Sequence, residues 1–230
     1  MSFEYIDRNL ADVRSKIDEA SRRIGREEPV MMLAAIKYAE PAEIEYLYHN
    51  AGVKQVGENR VQQLLEHREA IDCVGLEFHF IGTLQTNKVK YIIDKVKMIH
   101  SLDSLKLAAE IDKQAAKHGL IMDVLVEVNC GEEESKSGLM PSEVEEFCYK
   151  LSEFKNIRHR GFMTMAPKCD KKEDYLKYFQ QTYAQVLDIW TKKLHNIGRP
   201  IISMGMSDSF EEAIACGSDI VRIGRRLFVK

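Results

Sequence analysis

The chain carries an early apolar run, Val30-Met31-Met32-Leu33-Ala34-Ala35-Ile36-Lys37, which ends at a single lysine. A short run of this kind with polar flanks is typical of a strand that is buried in a parallel sheet. Upstream, apolar residues recur every three or four positions between Phe3 and Ile24, which predicts an amphipathic N-terminal helix. Downstream, Pro41 stands where it can open the next helix. The chain therefore starts as helix, strand and helix.

The same alternation continues to the C-terminus. Further strands are predicted at Gly52–Val56, Glu77–Ile81, Lys97–Ser101, Met122–Asn129, Ile157–Met163, Pro200–Met204 and Asp219–Ile223. Between them, helices are predicted at Arg60–Ile71, Leu84–Lys95, Ser104–His118, Pro141–Phe154, Lys172–Leu194 and Ser209–Cys216.

Eight strands alternating with helices in 230 residues match the TIM, or (β/α)8, barrel. A doubly wound open sheet is the competing α/β arrangement, but no glycine-rich fingerprint follows the first strand. No change in composition marks a domain boundary. We therefore expect an α/β protein, a single-domain TIM barrel with an extra N-terminal helix, over residues 1–230.

Composition excludes several classes of protein. With 33 Lys and Arg against 36 Asp and Glu, the formal charge is −3, so neither nucleic acid nor an anionic membrane is expected as a partner. No apolar run approaches the roughly 20 residues of a membrane span, and the N-terminus lacks the pattern of a secretion signal. Five scattered cysteines show neither zinc-site nor disulfide spacing, which predicts reduced thiols and a cytoplasmic location.

Lys37 is the sharpest chemical signal, because ligands of TIM barrels bind where the strands end. Strand alternation places it on one face with Leu33 and Ala35. If that face lines the barrel, desolvation favours the neutral amine, which is the form that makes a Schiff base with a carbonyl compound. The alternative is a lysine that extends its charge to the barrel mouth.

A second signal is the segment 203–209 after the seventh strand. Ser209 and Glu212 have the spacing of a capping box, so a helix is expected to begin near Ser207. Free N–H groups at a helix start suit a phosphate, and TIM barrels often hold phosphate after strands seven and eight. Gly224 and Arg225 lie at the end of the eighth strand and would complete such a cradle. Ordinary helix capping is the alternative explanation of Ser207 to Glu212.

Three further residues interrupt apolar strands. Arg222 stands in Ile220-Val221-Arg222-Ile223 and must find hydrogen-bond acceptors or a ligand, or else form a structural ion pair with Asp219 or Glu58. His79 and His100 are interpreted as hydrogen-bonded core histidines and not as catalytic bases.

An amine after the first strand and a phosphate cradle after the seventh and eighth point to an aldehyde cofactor that bears a phosphate, and pyridoxal 5'-phosphate (PLP) has both groups. The sequence resembles the pyridoxal phosphate homeostasis proteins, which share their fold with the barrel domain of alanine racemases. The resemblance covers nearly the whole chain and rests on Leu33–Lys37, Gly57–Asn59, His79–Lys88, Asn129–Gly131 with Ser135–Gly138, Gly161–Ala166, Ser203–Asp208 and Val221–Gly224.

The resemblance implies a role for each candidate residue. Lys37 would hold the cofactor through a Schiff base, and Ser207 with the backbone of Gly224 and Arg225 would bind the phosphate. Arg222 would approach the pyridine nitrogen, and Asn59 would lie near the ring. Arginines at 225 and 226 depart from the small residues that are frequent in this family.

The expected function is PLP homeostasis: binding, buffering or delivering the cofactor, with apo PLP enzymes as candidate recipients. Because the sequence ends at Lys230, soon after the eighth strand, we expect a monomer without the second domain that completes a racemase, and hence no efficient racemase activity. One alternative is a PLP-dependent racemase or decarboxylase whose second acid is Tyr38, His79 or Cys130. Another is a Schiff-base aldolase that uses Lys37 on a sugar phosphate.

Overall fold

The computed structural model describes residues 3–192 and 198–230. It is a closed barrel of eight parallel strands in chain order, in which β8 pairs with β1. The strands are β1 Met31–Ala35, β2 Gln55–Glu58, β3 Glu77–Phe80, β4 Met98–Leu102, β5 Met122–Val128, β6 Ile157–Thr164, β7 Ile201–Met206 and β8 Ile220–Ile223. The predicted TIM barrel is confirmed.

Helices follow the strands around the outside of the barrel. In the described residues they are α1 Glu4–Arg23, α2 Pro41–His49, α3 Val61–Ala70, α4 Val89–Ile92, α5 Leu105–Lys117, α6 Val144–Leu151, α7 Lys172–Thr191, α8 Phe210–Ala215 and α9 Arg225–Phe228. Short 3-10 turns at Thr86–Lys88 and Pro141–Glu143 precede α4 and α6. The last two residues of the predicted helix Lys172–Leu194 lie outside the described residues.

The extra N-terminal helix is also confirmed. The middle of its apolar stripe, from Ile6 to Ala20, is buried, and the helix packs on α8 and α9. Asn9 links α1 to the C-terminal segment, because its Nδ2 donates hydrogen bonds to the carbonyl oxygens of Leu227 (3.2 Å) and Val229 (2.7 Å). Helix α1 therefore supports the strand-eight end of the barrel.

The two faces of each strand have different partners. Ala34, Ile36 and Val56 belong to the large apolar core between strands and helices. On the other face a Cβ atom at Gly57 would lie 2.8 Å from Ile81 Cδ1 and 3.0 Å from Leu33 Cδ2, so these residues meet inside the barrel. A separate small apolar cluster of Met98, Leu125 and Met163 also lies apart from the helix-side core. Buried polar residues, among them His100, Glu127 and Arg222, lie nearer the carboxyl ends of the strands.

Several element boundaries were wrong, among them the predicted helix Pro141–Phe154, which becomes a 3-10 turn and α6. The second strand runs from Gln55 to Glu58 instead of Gly52–Val56, and the predicted helix Leu84–Lys95 shortens to the 3-10 turn and α4. Helix α9 was not predicted. No helix within residues 3–192 and 198–230 has the length and apolarity that crossing a bilayer requires.

Candidate ligand site at the barrel mouth

Lys37 lies in the turn directly after β1, at the carboxyl-terminal mouth of the barrel. Leu33 and Ala35 of β1 face the barrel interior. The expectation that the barrel wall desolvates the side chain is wrong: Lys37 is exposed, and its Nζ lies 4.6 Å from the centroid of the Tyr38 ring. The turn itself is held from α3, since Gln63 Nε2 donates to the Lys37 carbonyl oxygen (2.7 Å). The amine is therefore accessible at a fixed point of the mouth.

The ends of β7 and β8 converge on Ser207. The backbone N–H of Gly224 donates to Ser207 Oγ at 3.4 Å, so a hydroxyl and an amide meet at one place. Gly205 makes the turn possible, because its φ of +91° is in the region that favours glycine and a Cβ there would lie 2.5 Å from Ala213 Cβ. Helix α8 then begins at Phe210.

The predicted capping box at this helix is wrong. Ser209 is the N-cap residue of α8, but its side chain does not cap the helix and instead accepts a hydrogen bond from Met206 N–H (3.2 Å). Glu212 pairs with Lys172 at 3.0 Å. Ordinary helix capping therefore does not account for the serines of this turn. Through its hydrogen bond with Met206, Ser209 stabilises the turn that contains Ser207.

The register of β1 and β8 places the lysine turn beside this cradle. Ala34 is paired with Ile223, so the next residues, Ala35 and Gly224, lie side by side. A Cβ atom at Gly224 would lie 3.3 Å from the Ala35 carbonyl oxygen and 3.4 Å from its Cβ. The absence of a side chain at 224 thus keeps space open between the cradle and the strand that leads to Lys37.

Arg222 is buried inside the barrel, with 5% of its surface exposed. Its Nη1 donates to the carbonyl oxygen (2.9 Å) and to Oγ (2.7 Å) of Ser203, and its Nη2 donates to the carbonyl oxygen of Thr164 (2.9 Å). Of the two alternatives for Arg222, the structure shows hydrogen-bond acceptors and not an ion pair with Asp219 or Glu58. Asp219 pairs instead with Arg26 and Arg199, while Glu58 contacts His67.

The acceptors of Arg222 are thus neutral groups of β6 and β7. Burial lowers the pKa of Arg222 to about 10, an effect that the charge of Glu127 opposes. The guanidinium therefore keeps its charge at neutral pH.

Asn59 follows β2 and is half-buried. The side chain of Glu58 accepts its backbone N–H (Oε1, 2.7 Å) and contacts His67 Nδ1 (Oε2, 3.1 Å). The neighbouring turn packs closely on it, since a Cβ at Gly82 would lie 2.1 Å from the Asn59 carbonyl oxygen. Two buried side chains and one glycine thus fix the backbone of Asn59.

Arg225 and Arg226 differ in their surroundings. Arg225 is exposed and its Nη2 pairs with Asp208 Oδ2 at 3.0 Å on the surface. Arg226 binds Asp12 of α1 (2.9 Å) and donates through Nη1 to the Ser207 carbonyl oxygen (3.5 Å). Arg226 therefore links α1 to the Ser207 turn.

Glu127 is a buried acidic residue near Arg222 that the sequence did not single out. It lies on β5, 5% exposed, and its Oε2 lacks a hydrogen-bond partner among the described residues. Burial, and next the nearby charge of Asp103, raise its pKa to about 7, against the opposing effect of Arg222. Glu127 looks like an ordinary strand residue in the sequence, so only its position inside the barrel reveals it.

The three residues proposed as a second acid are placed differently. Tyr38 is exposed beside Lys37. His79 is buried and bound to His100, which confirms the interpretation of both as core histidines. Burial is the main cause of a raised pKa of Cys130, whose Sγ contacts the Met165 carbonyl oxygen at 3.8 Å. Of the three, Tyr38 is the one in contact with the amine.

Comparison with known proteins identifies the family. The family described as alanine racemase, N-terminal domain, matches residues 8–229. A pyridoxal phosphate homeostasis protein of Aquifex aeolicus is 43% identical over 219 residues, covering 95% of this chain and 95% of the relative. One of Escherichia coli K12 is 34% identical over 227 residues, covering 97% and 95%. The chain belongs to the family of pyridoxal phosphate homeostasis proteins.

A solved structure extends this family relationship to the fold. PipY of Synechococcus elongatus, with PLP bound, superposes with a TM-score of 0.83 at 27% identity, covering 97% of this chain and 100% of PipY. The resemblance predicted from the sequence is confirmed, and the relatives carry the name of a homeostasis protein, not of an enzyme.

Proposed function

We propose that the protein binds PLP at the barrel mouth and serves in PLP homeostasis by binding, buffering or delivering the cofactor, without efficient racemase activity. The observation that carries this proposal is the β1–β8 register, which sets the turn of Lys37 beside the meeting point of Ser207 and Gly224. The homeostasis relatives and the PLP-bound PipY structure support the same ligand. The whole chain, residues 1–230, would form the binding unit.

The residues at the mouth fit the groups that PLP carries. The Ser207 hydroxyl and the Gly224 and Arg225 backbone would bind the phosphate, and Asn59 would lie against the ring. Lys37 offers an accessible amine for a Schiff base with the aldehyde, a reaction that releases water. PLP supplies an electron sink when bound, and its strength depends on protonation of the ring nitrogen.

Arg222 would face that ring nitrogen and would weaken the electron sink. An arginine has only donors, and its positive charge disfavours a second cation beside it. The ring nitrogen would therefore stay unprotonated, which disfavours carbanion chemistry. This property disfavours reactions that need a strong electron sink.

Borohydride reduction tests the assignment of Lys37. We expect reduction of the PLP-loaded protein, followed by digestion and mass spectrometry, to locate a pyridoxyl adduct on Lys37. Lys37→Ala should remain folded and lose the visible absorption of the bound cofactor, whereas Lys88→Ala, a change at another exposed lysine, should keep it. An adduct spread over several lysines, or a coloured Lys37→Ala protein, would contradict the proposal.

Delivery to apo PLP enzymes is the finer part of the proposal. Loaded protein can be mixed with an apo PLP enzyme in the presence of a phosphatase that destroys free PLP. Activation of the apoenzyme under these conditions would show direct transfer. If the apoenzyme stays inactive, the role of the protein is restricted to buffering. A panel of D- and L-amino acids measures residual racemase activity, which we expect to lie far below ordinary turnover numbers of about 1–1000 per second.

We further propose a cytoplasmic monomer. The three most exposed large apolar residues away from the barrel mouth that are not at the chain end, Val74, Ile121 and Tyr149, lie on separate segments, and isolated residues of this kind are normal on a monomer surface. Sedimentation velocity of the loaded and unloaded protein tests the monomer: a dimer in either state would contradict it.

A further inference from the structure

A line of four buried polar side chains crosses the barrel interior and ends at Arg222. His79 Nδ1 lies 2.9 Å from His100 Nε2, and His100 Nδ1 lies 3.2 Å from Ser203 Oγ. Ser203 Oγ in turn accepts from Arg222 Nη1 at 2.7 Å. The four residues come from β3, β4, β7 and β8, and none is more than 5% exposed. The line therefore joins opposite walls of the barrel.

Arginine gives this line a direction. A guanidinium has donors only, so Ser203 Oγ must accept from Arg222. The Ser203 hydroxyl proton then has an acceptor in His100 Nδ1, and His100 donates through Nε2–H to His79 Nδ1. Each order leaves one donor without an acceptor among the described residues: His79 Nε2–H in this order, and the Ser203 hydroxyl in the reverse order, which has Nδ1–H on both rings. This order keeps the unpaired donor at the far end of the line, away from the serine that contacts Arg222.

Both imidazoles are neutral in this arrangement. Burial is the main cause that lowers the pKa of His79 to about 4 and holds the pKa of His100 well below its usual range. The charged groups around His79 are Glu77, Lys97 and Asp123, while His79 and Arg222 both oppose a charge on His100. A neutral ring has one donor and one acceptor, which suits a place in a directed line.

The hydrogen bonds of the described residues leave part of the guanidinium available for a ligand. Three of its five N–H donors point to Ser203 and Thr164, all on the β6 and β7 side. Glu127 is the acidic group that acts on Arg222 from β5. The orientation of the remaining N–H donors of Arg222 therefore depends on the position of Ser203, which His100 contacts from β4.

We propose that Ser203 and His100, with His79 behind them, are positioning residues that hold Arg222 toward the cofactor. The inference rests on the proposed function, because it assigns Arg222 a ligand at the mouth. His100 is required in its Nε2–H tautomer, since the Nδ1–H tautomer removes the acceptor of the Ser203 hydroxyl.

The first experiment needs no cofactor. Nitrogen NMR of histidine-labelled protein distinguishes the two neutral tautomers and the imidazolium, and His100→Asn assigns the signals. We expect both His79 and His100 as neutral Nε2–H rings at pH 7. A neutral Nδ1–H ring or an imidazolium at position 100 would overturn the directed line.

The second experiment compares matched variants loaded with PLP. Ser203→Ala and His100→Leu remove the link, whereas Ser203→Thr keeps the hydroxyl and His100→Asn keeps an acceptor at the place of Nδ1. We expect the first pair to weaken PLP binding about tenfold or more and to shift the pH midpoint of the cofactor's absorption change. The second pair should stay close to wild type in both measurements, as should His118→Leu at an exposed position.

The outcomes separate the two proposals. If wild type binds PLP and the disrupting variants leave both its dissociation constant and the pH midpoint unchanged, the positioning role is wrong while the proposed function survives. If wild type fails to bind PLP, the proposed function and this role both fall. Should a disrupting variant not fold, the NMR result on wild type still decides the tautomers.

Discussion

At the scale of single residues, Ser207 offers a direct test of the phosphate cradle. Its Oγ accepts the Gly224 N–H, which leaves the hydroxyl proton to donate to a phosphate, and Ser207→Ala removes this donor without disturbing a buried core. We expect PLP binding to weaken by about 1.5–3 kcal/mol, the usual value of a charge-assisted hydrogen bond. Titration of the apo protein with PLP measures this, with Ser15→Ala on the exposed side of α1 as a control. An unchanged dissociation constant would remove Ser207 from the site.

Single residues also show what the sequence can predict. It identified Arg222 as a charge that must find acceptors, because an arginine inside an apolar strand is costly without them. It did not identify Ser203 and Thr164 as those acceptors, since they lie 19 and 58 residues away in the chain. It left both a desolvated and a mouth-facing position open for Lys37; the observed exposure depends on where β1 ends, at Ala35, two residues before the lysine.

At the scale of elements, helix α1 stabilises the segment that follows the cradle. Asn9 donates two hydrogen bonds to carbonyl oxygens at the end of α9, which begins directly after Gly224. We expect Asn9→Ala to lower the free energy of unfolding by about 1–2 kcal/mol, since each neutral hydrogen bond contributes about 1 kcal/mol. Urea unfolding measures the change against Asn87→Ala, an exposed asparagine. Equal stability of the two variants would show that α1 does not depend on this contact.

Elements were predictable where apolar periodicity is strong and unpredictable where polar residues are buried. The apolar stripe placed α1 within one residue of its observed bounds. The second strand was placed too early because its true end, Gly57 and Glu58, has no apolar signal. Both are determined by tertiary contacts: Gly57 faces the side chains of Leu33 and Ile81, and Glu58 is buried against His67.

At the scale of the whole molecule, the site exists only in the closed barrel. Lys37 and Gly224 come from the first and last strands, and they meet because β8 pairs with β1. The residues that hold Arg222 come from β6 and β7, on the far side of β8 from Lys37. The ligand site at the mouth is therefore complete only when β8 pairs with β1, so ligand binding requires the closed barrel.

Stability of the apo protein should depend on pH through three buried groups. His79 and His100 have lowered pKa values, so they bind protons more readily in the unfolded chain. Their contribution to stability is complete above about pH 6.5, the ordinary pKa of histidine, and is lost on acidification, for His79 as the pH falls toward 4. Glu127 has the opposite sign, because its raised pKa means that the folded state binds its proton more tightly. Its contribution is complete below about pH 4.5 and is lost as the pH rises through 7.

The Glu127→Gln variant separates these opposing contributions. Glutamine keeps the shape but does not titrate, so the variant should gain stability relative to wild type as the pH rises from about 4.5 to 7, by at most about 3 kcal/mol. Of the three groups, only the two histidines then contribute to the pH dependence of stability. The free energy of unfolding of the variant should therefore fall more steeply than that of wild type on acidification. Urea unfolding of both proteins at intervals between pH 4 and 8 measures the difference, with Glu132→Gln in the exposed loop after β5 as a control. A constant difference between Glu127→Gln and wild type across this range would show that Glu127 is ionised in the folded barrel, as the partner of the Arg222 charge.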